Sequence, residues 1–224
     1  MPKPTFFNLP DDKRALIRTL AIEEFARYPF AQASISRIVA RAGISKGSIY
    51  QYFDDKFDLY VWLIEEIARE KTAFVATDRA SHGGFFERLE VSCRAALRFM
   101  REHPRMGRLG ARIHEPATDP RVRDYHDTLK QRGHAMLCAL IQDAQDHHEL
   151  RPDMDPQLAA HILANVAQAG LIDLFVARLE VPMHQYMSDP SLQARISDED
   201  LDTLIHGMLR ILRDGLGHRE EHAS

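Results

Sequence analysis

The stretch ASISRIVARAGISKGSIYQYFDDKFDLY, residues 33–60, decides the fold. Ile35, Ile38, Val39 and Ala42 recur at steps of three and four, so the spacing predicts a short helix over 35–42. Gly43 follows, where a chain commonly leaves a helix in the left-handed conformation that glycine tolerates. Ile44 then plugs the angle, and Ser45 reads as the N-cap of a second helix over 46–52. Ile49 and Phe53, four apart, face inward. Lys46, Gly47, Ser48, Tyr50, Gln51 and Tyr52 are left for the outer surface. The pattern is a helix-turn-helix over residues 34–53.

That outer surface suits the major groove of double-stranded DNA. Gly47 and Ser48 are small enough for close backbone approach, and Lys46 can neutralise phosphate or reach a guanine edge. Ser48 and Gln51 can exchange hydrogen bonds with bases, while Tyr50 and Tyr52 can reach phosphates or thymine methyls. Arg37 and Arg41 lie on the preceding helix, where phosphate contact is expected.

Working outward, nearly every segment reads as helix. Ile17, Leu20, Ala21, Phe25 and Tyr28 share one face of a first helix over 11–28, bounded by Pro10 and Pro29. Further helices are expected over 56–78, 85–103, 105–114, 120–148, 156–179 and 190–195, with Gly83-Gly84 breaking the chain. Three begin at Asp119-Pro120, Asp155-Pro156 and Asp189-Pro190, a carboxylate cap followed by proline at the first helical position. The last helix, 199–216, is preceded by Ser197 with Asp200 three residues on, in the manner of a capping box. No stretch alternates with period two, so the fold class is all-α with nine or ten helices. The expected division is a three-helix DNA-binding domain over 1–56, a larger helical bundle over 57–217 and a polar tail over 218–224.

The chain of 224 residues has a formal net charge of −4, yet the charge is unevenly distributed. Residues 1–56 hold nine Lys/Arg against six Asp/Glu, and the remainder is net acidic. No run approaches the ~20 apolar residues that cross a bilayer, so no membrane partner is expected. No signal peptide is read at the N-terminus. Cys93 and Cys138 fall in apolar helical patterns and read as buried thiols, consistent with a reducing cytoplasm. All twelve histidines lie after residue 80; without ligand spacing they read as solvated surface, and neither metal nor cofactor is expected. There is no glycine-rich phosphate loop, Gly-x-Ser-x-Gly elbow, His-Glu-x-x-His or Cys-x-x-Cys, which argues against an enzyme.

Over residues 13–63 the chain resembles the tetracycline-repressor (TetR) family of bacterial transcription regulators. The resemblance rests on Phe25, the segment Ile38 to Phe53 and Lys56. It implies DNA contacts at Ser34, Arg37, Lys46, Gly47, Ser48, Tyr50 and Tyr52, with Lys56 as a phosphate-binding lysine and Gln51 at a variable position. Two residues depart from the family pattern. Pro29 stands where glycine usually follows the first helix, and Ala33 where threonine usually caps the second; Ser34 is then the expected cap.

The resemblance further implies a ligand-responsive repressor that binds a palindromic operator as a homodimer. Its dimer interface would be the helices 156–179 and 199–216, and its body would enclose a small, hydrophobic effector. Candidate lining residues are Trp62, Phe74, Phe99, Met100, Met106, Tyr125, Met136 and Phe175, each of which also reads as plain core. The alternatives are a DNA-binding protein whose body docks another protein, and a small helical enzyme.

Overall fold

The computed structural model describes residues 1–76 and 83–216; the polar tail expected over 218–224 lies outside them. The described residues form helices and connecting turns, with no strand among them. In chain order the helices are α1 (Pro4–Phe7), α2 (Asp11–Arg27), α3 (Ile35–Ala42), α4 (Lys46–Tyr52) and α5 (Lys56–Ala76). Then come α6 (Phe85–Glu102), α7 (Pro104–Ala111) with a 3-10 turn (Arg112–His114), and α8 (Pro120–Asp146). A π-helical segment (Ala164–Gly170) separates α9 (Pro156–Leu163) from α10 (Leu171–Arg178). The chain continues through α11 (Met183–Tyr186), α12 (Pro190–Gln193) and α13 (Asp198–Leu216).

The helix starts follow the expected chemistry. Asp119, Asp155 and Asp189 each accept a backbone N–H two residues on, at 2.9 Å. Ser197 and Asp200 form the reciprocal pair, Asp200 N–H to Ser197 Oγ at 3.1 Å and Ser197 N–H to Asp200 Oδ2 at 2.9 Å. Three features escape the sequence periodicity. Helices α1 and α11 are one turn each, too short to show a period. The expected continuous helix over 156–179 is broken by the π turn. Gly170 suits that turn, because a Cβ there would stand 2.9 Å from the carbonyl oxygen of Asn165.

The chain divides into two compact units. The first comprises Met1–Thr72 and His103–Asp127; the second comprises Ala73–Glu102 and residues from 128 onward. Packing thus groups most of α5 and the whole of α7 with the N-terminal helices, whereas the sequence reading placed a boundary at residue 56. The core of the first unit is Ile17, Leu20 and Phe25 of α2, Ile38 and Val39 of α3, Ile49 of α4, and Leu59, Tyr60 and Leu63 of α5.

In the second unit, Leu201, Ile205, Met208, Leu209 and Leu212 form the buried stripe of α13. Leu89, Cys93, Leu97 and Met100 of α6 are buried in the same unit. Both cysteines are buried thiols, and Cys93 Sγ donates to the Ala167 carbonyl at 3.8 Å. One expectation needs correcting. The stretch Pro156–Arg178 is long and apolar enough, by length and composition, to cross a membrane. Its Ala159, Ala160, Leu163, Leu171 and Phe175 are nevertheless packed in the core of the second unit.

The first unit hinges on one buried cation. Arg112 is 6% exposed, and its Nε and Nη2 donate to the carbonyls of Phe25 and Ala26 at 2.7 and 2.8 Å. Those carbonyls belong to the last turn of α2, where intrahelical partners run out. A glycine in the left-handed conformation would normally close such an end, and Pro29 cannot adopt it. The guanidinium supplies the missing donors, and Glu115 pairs its remaining arm at 2.7 Å. Burial pulls the Arg112 pKa below the ordinary guanidinium value.

Arg112→Met keeps much of the side-chain volume and orphans both carbonyls. At about 1–3 kcal/mol per buried unpaired group, the variant should melt several degrees lower by calorimetry. Arg112→Lys should recover only part of the loss, because a single ammonium lacks the two-pronged fork.

Candidate nucleic-acid interface

Helix α3 starts where Ser34 Oγ accepts the Arg37 N–H at 3.4 Å, so Ser34 is its cap, as expected from the departure at Ala33. It ends at Gly43, φ +64°, and the Ile44 N–H closes the turn on the Val39 carbonyl at 3.1 Å. Ser45 Oγ then accepts the Ser48 N–H at 3.1 Å and opens α4. Ile38, Ile49 and Phe53 are each 1% exposed and lock the two helices onto the core. Lys46, Gly47, Tyr50 and Gln51 are exposed on the opposite side, with Ser48 half-buried among them. This is a short helix presenting one cation, one glycine and three polar hydrogen-bonding side chains outward.

Tyr52 does not join that surface, which corrects the sequence reading. It stands three residues after Ile49 and therefore on the same side of α4, and it is buried. Its ring lies 6.0 Å from that of Phe6, which is itself fully buried. Phe6 also meets Phe53 and Trp62, each at 5.0 Å between centroids. Trp62, a candidate effector residue, is thus part of this aromatic cluster in the first unit.

The N-terminal arm was missed by periodicity, and it finishes α4. The Lys3 N–H donates to the Tyr52 carbonyl at 2.8 Å and Lys3 Nζ to the Tyr50 carbonyl at 3.0 Å; Thr5 Oγ1 donates to the Gln51 carbonyl. Three carbonyls from the end of α4 are satisfied by one short N-terminal arm. The available signal was the apolar pair Phe6-Phe7 held between Pro4 and Pro10.

The flanking cations are partly committed inward. The buried carboxylate of Glu24 accepts the Ser34 N–H at 2.8 Å and Arg37 Nε at 2.9 Å, and also pairs with Arg37 Nη2. Arg37 Nη2 reaches the Gln32 carbonyl at 2.8 Å, and the guanidinium lies 4.4 Å over the Tyr28 ring. Its hydrogen bond to Glu24 raises its pKa. Lys56 Nζ donates to the carbonyls of Phe30 and Ala33 at 2.7 and 3.1 Å and sits 4.3 Å over the Phe30 ring. Desolvation lowers its pKa. Arg41 pairs with Glu23 at 2.6 Å.

The sequence model of the bacterial regulatory proteins, tetR family, matches residues 17–61, the span of this helix-turn-helix and its supports. Residues 17–61 thus carry the tetR-family sequence pattern. The HTH-type transcriptional repressor SCO4008 of Streptomyces coelicolor is 28% identical over 137 residues, covering 61% of this chain and 67% of that relative. A TetR family transcriptional regulator from Chloroflexus aurantiacus J-10-FL superposes with a TM-score of 0.81 at 29% identity, covering 98% of this chain and all of that one. The regulator FadR from Bacillus subtilis, solved with stearoyl-CoA, shares the fold at a TM-score of 0.67 and 16% identity, over 90% of this chain and 98% of its own. In the sequence of residues 17–61 and in fold, the chain is similar to tetR-family transcriptional regulators.

The remaining effector candidates are divided between the two units. Met106 and Tyr125 are half-buried in the first. In the second, Phe74 meets Phe99 edge-on at 5.8 Å, and Phe99, Met100 and Phe175 are buried as core. Met136 is 71% exposed and lines no interior, a second correction. A third concerns the histidines, read as solvated surface. His126 is buried and shares a 2.9 Å hydrogen bond with the Tyr60 hydroxyl.

Phe6→Ala should remove the centre of the aromatic cluster and cost about 3–5 kcal/mol, read as a lower melting temperature. Loss of helicity at the arm alone, with the melting temperature unchanged, would show that α1 does not support α4.

Proposed function

We propose that this regulator is a repressor that binds a palindromic operator as a homodimer through α4, and releases it when a small apolar molecule binds the body. The observation that carries the reading is the exposed face of α4, where Lys46, Gly47, Ser48, Tyr50 and Gln51 stand clear of the core. Ser34, Arg37 and Lys56 flank it as phosphate contacts, Arg37 offering the guanidinium edge turned away from Glu24. Tyr52 supports the face from beneath. In functional terms the head is residues 1–56 and the sensing and dimerising body 57–217, acting in the cytoplasm where the chromosome lies.

The dimer has its own support. Leu158, Ile162, Val166 and Leu174 on α9, the π segment and α10 are 37–58% exposed, and Ile211 of α13 is 75% exposed. An apolar row left open along two long helical segments fits a face that closes against its own copy. The effector reading draws on relatives. SCO4008 is named a repressor, and FadR was solved with stearoyl-CoA.

Selection of bound fragments from genomic DNA should recover an inverted repeat. On that site Lys46→Ala should weaken binding by about 5- to 100-fold and lower the salt slope by about one, at unchanged melting temperature. Tyr50→Ala should weaken specific binding by a similar factor. Wild-type affinity in both variants would remove α4 from the reading surface. Leu158→Glu with Ile162→Glu should sediment as a monomer, and a dimer of undiminished strength would place the interface elsewhere.

A further inference from the structure

The two arginines of α3 are both held by consecutive carboxylates of α2. Arg41 pairs with Glu23 at 2.6 Å, and Glu23 also takes Arg105 of α7 at 2.9 Å. Arg37 pairs with Glu24, the one buried carboxylate among the described residues, at 5% exposure. A single oxygen, Oε1, accepts the Ser34 N–H at 2.8 Å and Arg37 Nε at 2.9 Å, besides Arg37 Nη2. The same guanidinium donates to the Gln32 carbonyl at 2.8 Å and lies 4.4 Å over the Tyr28 ring. Arg37 is thus fixed by three groups, although 47% of its side chain is exposed.

Other cations near α4 are balanced in the same way. Lys3 pairs with Asp54 at 2.8 Å and Arg121 with Asp55 at 2.6 Å. The charge of Glu24 also acts on Lys56. Lys46 stands exposed on α4 itself.

A carboxylate beneath a phosphate-binding face lowers affinity for DNA. It repels phosphate, and it occupies a guanidinium that would otherwise displace a counterion on any sequence. What the pair provides is orientation. A cation held by a fork of hydrogen bonds meets a phosphate only where the protein is seated in register, whereas a loose one meets phosphates everywhere. Sequence-independent binding therefore follows the loose charges, and specificity is the difference between the two modes of binding.

We infer, on the reading that α4 and its flanks meet duplex DNA, that Glu24 is a positioning residue that sets specificity. It withholds Arg37 from DNA of arbitrary sequence and reserves it for the phosphate met when α4 is seated on its site. Glu24 touches no DNA and acts through Arg37.

The test measures binding of the full chain to mixed-sequence duplex DNA and to the fragment recovered by genomic selection, each over a salt series by fluorescence anisotropy. Glu24→Gln deletes the charge and keeps the side-chain length and an oxygen for the Ser34 N–H. It should tighten mixed-sequence binding by about threefold or more, steepen the salt slope by about one, and lower the preference for the selected fragment by a similar factor. A merely structural role would weaken binding to both DNAs. Adding Arg37→Gln should remove the gain and weaken binding to the selected fragment. Mixed-sequence affinity and slope at or below wild type in Glu24→Gln would overturn the role, as would a gain that survives in the double variant. The double variant leaves no buried charge unpaired. A slope about one below that of wild type there would also overturn the role, because Arg37 would then already neutralise phosphate on any sequence. Mixed-sequence binding that Lys46→Ala weakens and Glu24→Gln leaves unmoved would overturn this role and keep the DNA reading. Wild-type protein that bound no duplex would overturn both.

Discussion

The N-terminal unit depends on how α2 is allowed to end. Its last carbonyls face a chain that turns through Pro29, which can neither adopt a left-handed cap nor donate a hydrogen bond. Arg112 resolves this by donating to Phe25 and Ala26 from a segment about ninety positions away in sequence. Lys56 does the same for the carbonyls of Phe30 and Ala33 in the following turn. Two cations from distant parts of the chain thus replace one local glycine. The turn they fix delivers Ser34 to the start of α3, and hence sets where α4 lies.

The same economy recurs at α4. Helix α4 has seven residues, too few to be stable alone. Its start is closed by Ser45, its end by Lys3 and Thr5, and its inner side by Phe53 and the ring of Phe6. Glu24 ties the Ser34 amide and Arg37 together from within the core. The outer side of α4 can remain polar and exposed because the helix is held from both ends and from beneath.

The second unit solves a different problem. Its α13 and α6 bury regular apolar stripes, while the stretch from α9 to α10 is apolar nearly all round. Part of that stretch is core and part is left exposed, a division that composition alone does not make. The π turn ending at Gly170 breaks the helical register within this stretch.

The sequence by itself determined the helical class, the helix-turn-helix and most helix limits. These follow from local physics: 3.6-residue periodicity, Asp-Pro and Ser-x-x-Asp starts, and one glycine at a positive φ. The outward placement of Lys46, Tyr50 and Gln51 also follows from it, since a short helix has few ways to bury Ile49. Only the tertiary structure decided what lies far apart in sequence. It buried Tyr52 and Trp62 around Phe6, turned Arg37 and Lys56 partly inward, buried His126 against Tyr60 and grouped α7 with the N-terminal helices. None of these could be read locally, because a periodic pattern reports which face of a helix is apolar and not what that face meets.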